Sequence, residues 1–208
     1  MSRDMDPEIL IVDDDSSMRR ALERLVRSMG YRTRSFATAQ DFLRADLPSG
    51  TMGCLVLDVQ MPGMSGIDLQ EELRRRDLPI PIVFITGHGT VPMSVQAMKH
   101  GAVDFLEKPF DEHELVKAVS RAMEKGRQAL ALRLELRELR ERYGRLTPRE
   151  QEVLALVVSG MLNKQIASEL GASEKTIKVH RGRVMEKMQA GSLADLVRMA
   201  GKLGISSE

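Results

Sequence analysis

Ile9-Leu10-Ile11-Val12-Asp13-Asp14-Asp15 runs four apolar residues straight into three carboxylates. Three later stretches have the same form. Cys54-Leu55-Val56-Leu57 ends at Asp58, Ile82-Val83-Phe84-Ile85 ends at Thr86, and Val103-Asp104-Phe105-Leu106 stops just short of Lys108. Each short apolar run reads as a β-strand. In an open parallel α/β sheet the carboxyl ends of the strands line one edge, where ligands bind. Polar residues from four strands then converge on one crevice. Three carboxylates, a hydroxyl and an ammonium suit a divalent cation and a phosphoryl group.

Outward from these strands, residues 8–121 alternate short β-rich runs with longer amphipathic segments. Ser17 to Met29 carries Met18, Leu22, Leu25, Val26 and Met29 at helical spacing, and Gly30 ends that helix. Tyr31 to Phe36 is a weaker strand, followed by a helix near Ala39 to Ala45. Ser65-Gly66-Ile67-Asp68 and Asp111-Glu112-His113-Glu114 have the form of capping boxes, and Pro92 to His100 forms a helix between them. Five βα units in series predict a doubly wound, five-stranded parallel sheet with helices on both faces.

Taken singly, each polar residue has an ordinary explanation. The aspartate triplet could cap a helix, Asp58 could end a strand, Thr86-Gly87 could be a turn, and Lys108 could be a surface lysine. All four explanations must hold together on the strands of one sheet, which argues for a built pocket.

The 208 residues suit one large domain or two ordinary ones, and 31 basic residues nearly balance 30 acidic ones. The distribution is uneven. Residues 1–121 hold 15 Lys/Arg against 19 Asp/Glu, residues 122–145 hold 7 against 4, and residues 146–208 hold 9 against 7. Only the back of the chain has the balance expected of a part that meets nucleic acid. The single cysteine, Cys54, lies in an apolar strand and reads as a buried structural thiol. The N-terminal residues are polar and no apolar stretch approaches about 18 residues. A cytoplasmic protein with no membrane partner is expected.

Residues 112–145 predict one long helix, or a helix extended with a weak point at Gly126. Ala129, Leu132, Leu136, Leu139 and Tyr143 follow a 3–4–3–4 spacing, which fits a linker helix packed on its own domains or a short parallel coiled coil. Beyond it, Thr147-Pro148-Arg149-Glu150 opens a helix with a Thr cap, Asn163 and Ser173 are expected to cap the next two, and Ser192 the last. Four short helices with tight Gly-containing turns contain a helix-turn-helix pair. In the helix from Ser173, Ile177, Val184 and Met188 form the core stripe, opposite Lys175, Lys178, Val179, Gly182 and Arg183.

The stretches Ile11-Val12-Asp13-Asp14, Leu57-Asp58-Val59-Gln60-Met61-Pro62-Gly63, Phe84-Ile85-Thr86-Gly87 and Phe105-Leu106-Glu107-Lys108-Pro109-Phe110 resemble the receiver domain of two-component response regulators, the CheY-like fold. The resemblance covers about residues 8–121 in both order and spacing. Thr86 to Met93, taken with Ala102 to Phe110, is closer still to the FixJ branch. The resemblance implies that Asp58 is the phosphoacceptor for a sensor histidine kinase. Asp14, Asp58 and the Gln60 carbonyl would bind Mg²⁺ directly, with Asp13 acting through water. Thr86 and Lys108 would meet the phosphoryl oxygens, across a cis Lys108-Pro109 bond. Thr86 and Phe105 would be the switch pair that alters the face used for dimerisation. The four histidines show no metal-ligand spacing, and His88, His100 and His113 read as surface or capping residues.

Leu146-Thr147-Pro148-Arg149-Glu150, Asn163-Lys164-Gln165-Ile166-Ala167 and Lys175-Thr176-Ile177-Lys178-Val179-His180-Arg181 resemble the tetrahelical LuxR/NarL/FixJ-type DNA-binding domain. By that resemblance Lys178 and Val179 face base edges, while Lys175, Thr176, Arg183 and Lys187 hold phosphates. The domains expected are a receiver at 1–121, a helical linker at 122–145 and a helix-turn-helix domain at 146–208. The function implied is phosphorylation-switched homodimerisation and binding to double-stranded DNA, with RNA polymerase a further candidate partner. The protein would be no enzyme beyond accepting its own phosphoryl group. The alternative is a Mg²⁺-dependent phosphohydrolase working through an aspartyl-phosphate. Haloacid-dehalogenase-type hydrolases want a second acid two residues after the nucleophile, where this chain has Gln60.

Overall fold

The structure is a computed structural model that describes residues 8–46, 53–87 and 90–205; His88 lies outside the described residues. Strand β1 (Glu8–Val12) pairs in parallel with β2 (Arg32–Phe36) on one side and β3 (Gly53–Asp58) on the other. Strands β4 (Ile82–Thr86) and β5 (Asp104–Glu107) extend the sheet to the order β2-β1-β3-β4-β5, all parallel. This is the doubly wound sheet that the alternating pattern predicts. Its direction of growth reverses between β1 and β3, and such a switch point opens a crevice at the strands' carboxyl ends.

Alternate side chains explain the unbroken apolar runs. Ile9, Ile11, Cys54, Val56, Val83 and Ile85 form one core with Leu22 and Val26 of α1 (Ser16–Ser28) and with Leu115, Val119 and Met123 of α5 (Glu112–Gly144). Leu10, Val12, Leu55, Leu57 and Phe84 form the other, with α2 (Ala39–Arg44), α3 (Gly66–Arg75) and α4 (Val91–Lys99). A parallel sheet covered on both faces needs apolar residues at every strand position. Full burial of each such side chain contributes about 1.5–3 kcal/mol. Edge strand β2 is only partly buried, which is why its apolar signal is weak.

The turns behave as their residues dictate. Gly30 ends α1 at φ 85°, a conformation costly for any side chain with a Cβ. Ser65 and Asp68 form the reciprocal capping box that opens α3. At α5, Asp111 Oδ1 accepts from His113 N at 2.7 Å and Glu114 Oε2 accepts from Asp111 N at 3.3 Å.

Of the two readings of residues 112–145, the single long helix holds, and Gly126 is not a weak point. Helix α5 runs unbroken for 33 residues, and a Cβ at Gly126 would stand 2.8 Å from the Gly53 carbonyl oxygen. The glycine lets α5 lie close against the start of β3. Gly182, inside α8 (Glu174–Met188), faces open space instead. Gly126→Ala should therefore lower the urea midpoint, the clash outweighing a helix-propensity gain of about 1 kcal/mol. Gly182→Ala should raise it, by about 0.5–1 kcal/mol in stability.

The chain divides into two compact units, Met1–Leu130 and Ala131–Glu208. The division falls inside α5, between the ends of the expected linker. In the second unit α6 (Pro148–Val158), α7 (Asn163–Glu169), α8 and α9 (Leu193–Lys202) enclose a separate core. Val153, Leu154, Val157, Ile166, Ile177, Val184, Met188, Leu196 and Ala200 build it, with Tyr143 packed against it. The heptad-like stripe of α5 is thus divided: Leu139 is buried, while Leu132 is 51% exposed. Thr147, Ser173 and Ser192 cap their helices. Asn163 does not. Leu162 holds the cap position of α7, and the Gln165 side chain accepts from Leu162 N at 2.7 Å. Among the described residues, no helix is long and apolar enough to cross a membrane.

Candidate functional site

The three consecutive aspartates divide their work. Asp15 caps α1, its Oδ1 accepting from Ser17 N at 2.7 Å. Asp13 is wholly buried at the end of β1, and Asp14, beside it, is exposed. Across the switch point Asp58 closes β3 and is also buried. The three carboxylates of Asp13, Asp14 and Asp58 can each offer an oxygen within 4.8 Å of the others.

Lys108 joins two of them from beyond β5. Its ammonium donates to Asp13 Oδ2 at 2.9 Å and to Asp58 Oδ2 at 2.7 Å. Backbone donors take the other oxygens, Asp15 N reaching Asp13 Oδ1 at 2.8 Å and Gln60 N reaching Asp58 Oδ1 at 3.1 Å. The Lys108-Pro109 bond is cis, and Lys108 N donates to the Thr86 carbonyl at 2.7 Å. That bond ties the lysine to the end of β4, where Thr86 is fully buried. Phe105, half-buried on β5, packs tilted against Phe84 with ring centroids 6.1 Å apart.

Burial holds the Asp13 carboxyl above the ordinary aspartate range, against the pull of the adjacent ammonium. For Lys108, burial alone would favour loss of the proton. The Asp58 and Asp13 carboxylates hydrogen-bonded to it outweigh that and hold it above the ordinary lysine value. The lysine is therefore a fixed positive charge, placed where an anionic group would meet it. The donor set also fits a hard dication. Mg²⁺ takes oxygen ligands and keeps several waters, and exposed Asp14 and Gln60 leave one side of the acidic group open to solvent.

The second unit carries a different surface. On α8, Ile177, Val184 and Met188 are buried, while Lys175, Thr176, Lys178, Gly182 and Arg183 are exposed and Val179 is 48% exposed. One face of the second helix of a helix-turn-helix is thus cationic with an apolar member, the composition of a groove-reading helix.

The Response regulator receiver domain family matches residues 9–120, and the family described as bacterial regulatory proteins, luxR family, matches residues 145–200. The chain belongs to the FixJ/NarL family of two-component response regulators. This response regulator is 51% identical over 199 residues to Nodulation protein W of Bradyrhizobium diazoefficiens, covering 96% of this chain and 87% of that protein. It is 42% identical over 200 residues to the transcriptional regulatory protein FixJ of the same organism, covering 96% and 97% of the two chains. Among solved structures, the response regulator StyR matches with a TM-score of 0.83 at 47% identity, over 95% of this chain and 99% of that one. Its relatives being transcriptional regulators, the response regulator carries a receiver coupled to a DNA-binding output domain.

Three braces of its output domain, two of them on α8, escape a reading of motifs. Arg181 Nη1 donates to Asn163 Oδ1 at 2.7 Å, tying α8 to α7. Arg149 donates to the Leu170 carbonyl at the end of α7. Lys187, expected at a DNA phosphate, has its ammonium 2.5 Å from Oε2 of the buried Glu150. A lysine committed to a buried carboxylate is poorly placed to serve a phosphate as well. The capping box with Thr147 already accounts for Glu150 in the sequence, so nothing there signals this pair.

Proposed function

We propose that Asp58 accepts a phosphoryl group from the cognate sensor histidine kinase, and that this event promotes homodimerisation and sequence-specific binding to double-stranded DNA. The observation that carries it is the Lys108 ammonium held between Asp13 and Asp58 at the switch point of the sheet. A pocket with that cation beside a terminal carboxylate is built to receive an anion next to a nucleophile.

Asp14, Asp58 and the Gln60 carbonyl would hold Mg²⁺, with Asp13 acting through water; the ion would supply positive charge between the nucleophile and the phosphoryl oxygens. An Asp58 oxygen attacks phosphorus, forming the acyl-phosphate bond as the donor's bond to phosphorus breaks. Lys108 pairs with the phosphoryl oxygens, and the Thr86 hydroxyl donates to them. The new group brings about −1.5 to −2 charges and three acceptor oxygens, which draws Thr86 inward and lets Phe105 follow. The result is a population shift of the α4–β5–α5 face. There α4 exposes Val91, Val95 and Met98, apolar surface suited to a second copy. In the resulting dimer Lys178 and Val179 read base edges while Lys175, Thr176 and Arg183 hold phosphates; the resemblance adds Lys187 to that group, and we assign it instead to bracing α8. We place the protein in the cytoplasm, with RNA polymerase as the further partner at its promoters.

The experiment is to incubate the full chain with Mg²⁺ and acetyl phosphate, then measure its mass, oligomeric state and affinity for operator-type DNA. All three should change together. Lys178→Ala should cost about 1–3 kcal/mol of binding to a preferred site, roughly tenfold to a hundredfold, and relax preference at one base pair. Lys175→Ala should weaken binding evenly across sequences and reduce the salt slope by about one. Fluorescence anisotropy over a salt series separates the two.

A further inference from the structure

Helix α8 carries a glycine that its own domain does not need. Gly182 stands in the middle of the 15 residues of α8, where glycine is the poorest helix former short of proline. A Cβ there would meet nothing within 4 Å, whereas Gly126 of α5 makes room for the Gly53 carbonyl. Nor is Gly182 among the described glycines with positive φ. Neither packing nor backbone conformation accounts for it, so the reason lies outside the chain.

Its place on the helix supplies that reason. Gly182 lies one turn after Lys178 and Val179, on the side away from Ile177, Val184 and Met188. Lys178, Gly182 and Arg183 are exposed, and Val179 is the exposed apolar member of that cationic face. The missing side chain leaves a notch beside Val179, floored by helix backbone. In a helix interior the backbone N–H and C=O groups are already paired, so the notch offers no donor and no acceptor. It can select only by shape and apolar contact. Along the major groove the base edges present nitrogen and oxygen atoms and one apolar group, the C5 methyl of thymine.

We infer that Gly182 is a specificity-determining residue, whose notch beside Val179 seats the C5 methyl of a thymine in the same half-site as the base that Lys178 reads. The inference rests on the reading of α8 as the groove-reading helix and adds a base, and the group on it, to that reading. Without a Cβ at 182, α8 lies closer to the base edges at this point than any other residue would allow.

The test starts from the full chain with Mg²⁺ and acetyl phosphate, which selects its preferred duplex from a random-sequence pool. Each thymine of that duplex is then replaced singly by deoxyuridine, which lacks only the methyl, and affinities are read by fluorescence anisotropy. At one thymine in each half-site the native chain should bind the deoxyuridine duplex about fourfold more weakly. Gly182→Ala should bind the thymine duplex about tenfold more weakly than the native chain does, and should no longer distinguish thymine from deoxyuridine there. Gly182→Leu, which fills the notch with a good helix former, should do the same. A urea midpoint for Gly182→Ala at or above the native value separates weaker binding from loss of fold. A native chain indifferent to deoxyuridine at every position overturns the inference, as does a thymine preference that survives in both variants. If Lys178→Ala still relaxes preference at its own base pair, the wider reading of α8 stands. Failure to select any sequence overturns both.

Discussion

Asp58→Ala will take up no phosphoryl group. With Mg²⁺ and acetyl phosphate the native chain should gain the mass of one phosphoryl group, and the variant none. The donor-dependent gain in DNA affinity, expected at about 5–150-fold for a coupled pair of sites, should vanish with it. The geometry makes the loss complete rather than partial. Asp13 is the other carboxylate on Lys108, but it is wholly buried and its Oδ1 accepts from Asp15 N. Donor-dependent dimerisation or DNA binding that survives in Asp58→Ala would sink the switch assignment. Sustained release of phosphate from simple esters by the native chain would point to a hydrolase instead.

Lys187→Ala should destabilise the output domain by about 1.5–3 kcal/mol, since it removes the charged hydrogen bond to the Glu150 carboxylate. The figure lies below that of a fully buried ion pair because Lys187 is one-third exposed and Thr147 N still donates to Glu150 Oε2 at 2.9 Å. Hydrogen exchange of the α8 amides in the full chain measures it, and Glu150→Gln in the same chain should restore part of the loss. The pair also fixes an acid dependence. The Lys187 hydrogen bond, then the Thr147 N–H, hold the Glu150 carboxyl below the usual glutamate range. The folded domain thus binds this proton more weakly than the unfolded chain. The stability gained is fully present above the ordinary glutamate range and is lost as pH falls through the lowered value. Glu150→Gln should flatten that decline. A lysine serving DNA instead would leave α8 protection unchanged in Lys187→Ala and reduce the salt slope of binding by about one.

The receiver was legible in the sequence because its chemistry is tied to strand ends. Buried on both faces, β1, β3 and β4 announce themselves as apolar runs, and the residue that follows each run must stand at the crevice. Edge strand β2 has no such requirement, and its signal is correspondingly faint. Periodicity likewise separated the buried and exposed sides of α8. What stayed hidden depends on partners remote in the chain. Gly126 is explained by the Gly53 carbonyl, and Lys187 by a glutamate 37 residues earlier. Asn163 looks like a cap by type, but its oxygen is taken by Arg181.

Cys54 gives the receiver a reporter of its own. It is fully buried in β3, the strand that ends at Asp58, and burial pushes its thiol up to about 12. A thiol reagent can reach it only when the sheet opens, so the rate of native-state modification reads the population of that opening. As the single cysteine of the chain, it needs no added label. Whatever tightens the domain should appear as slower alkylation at one atom.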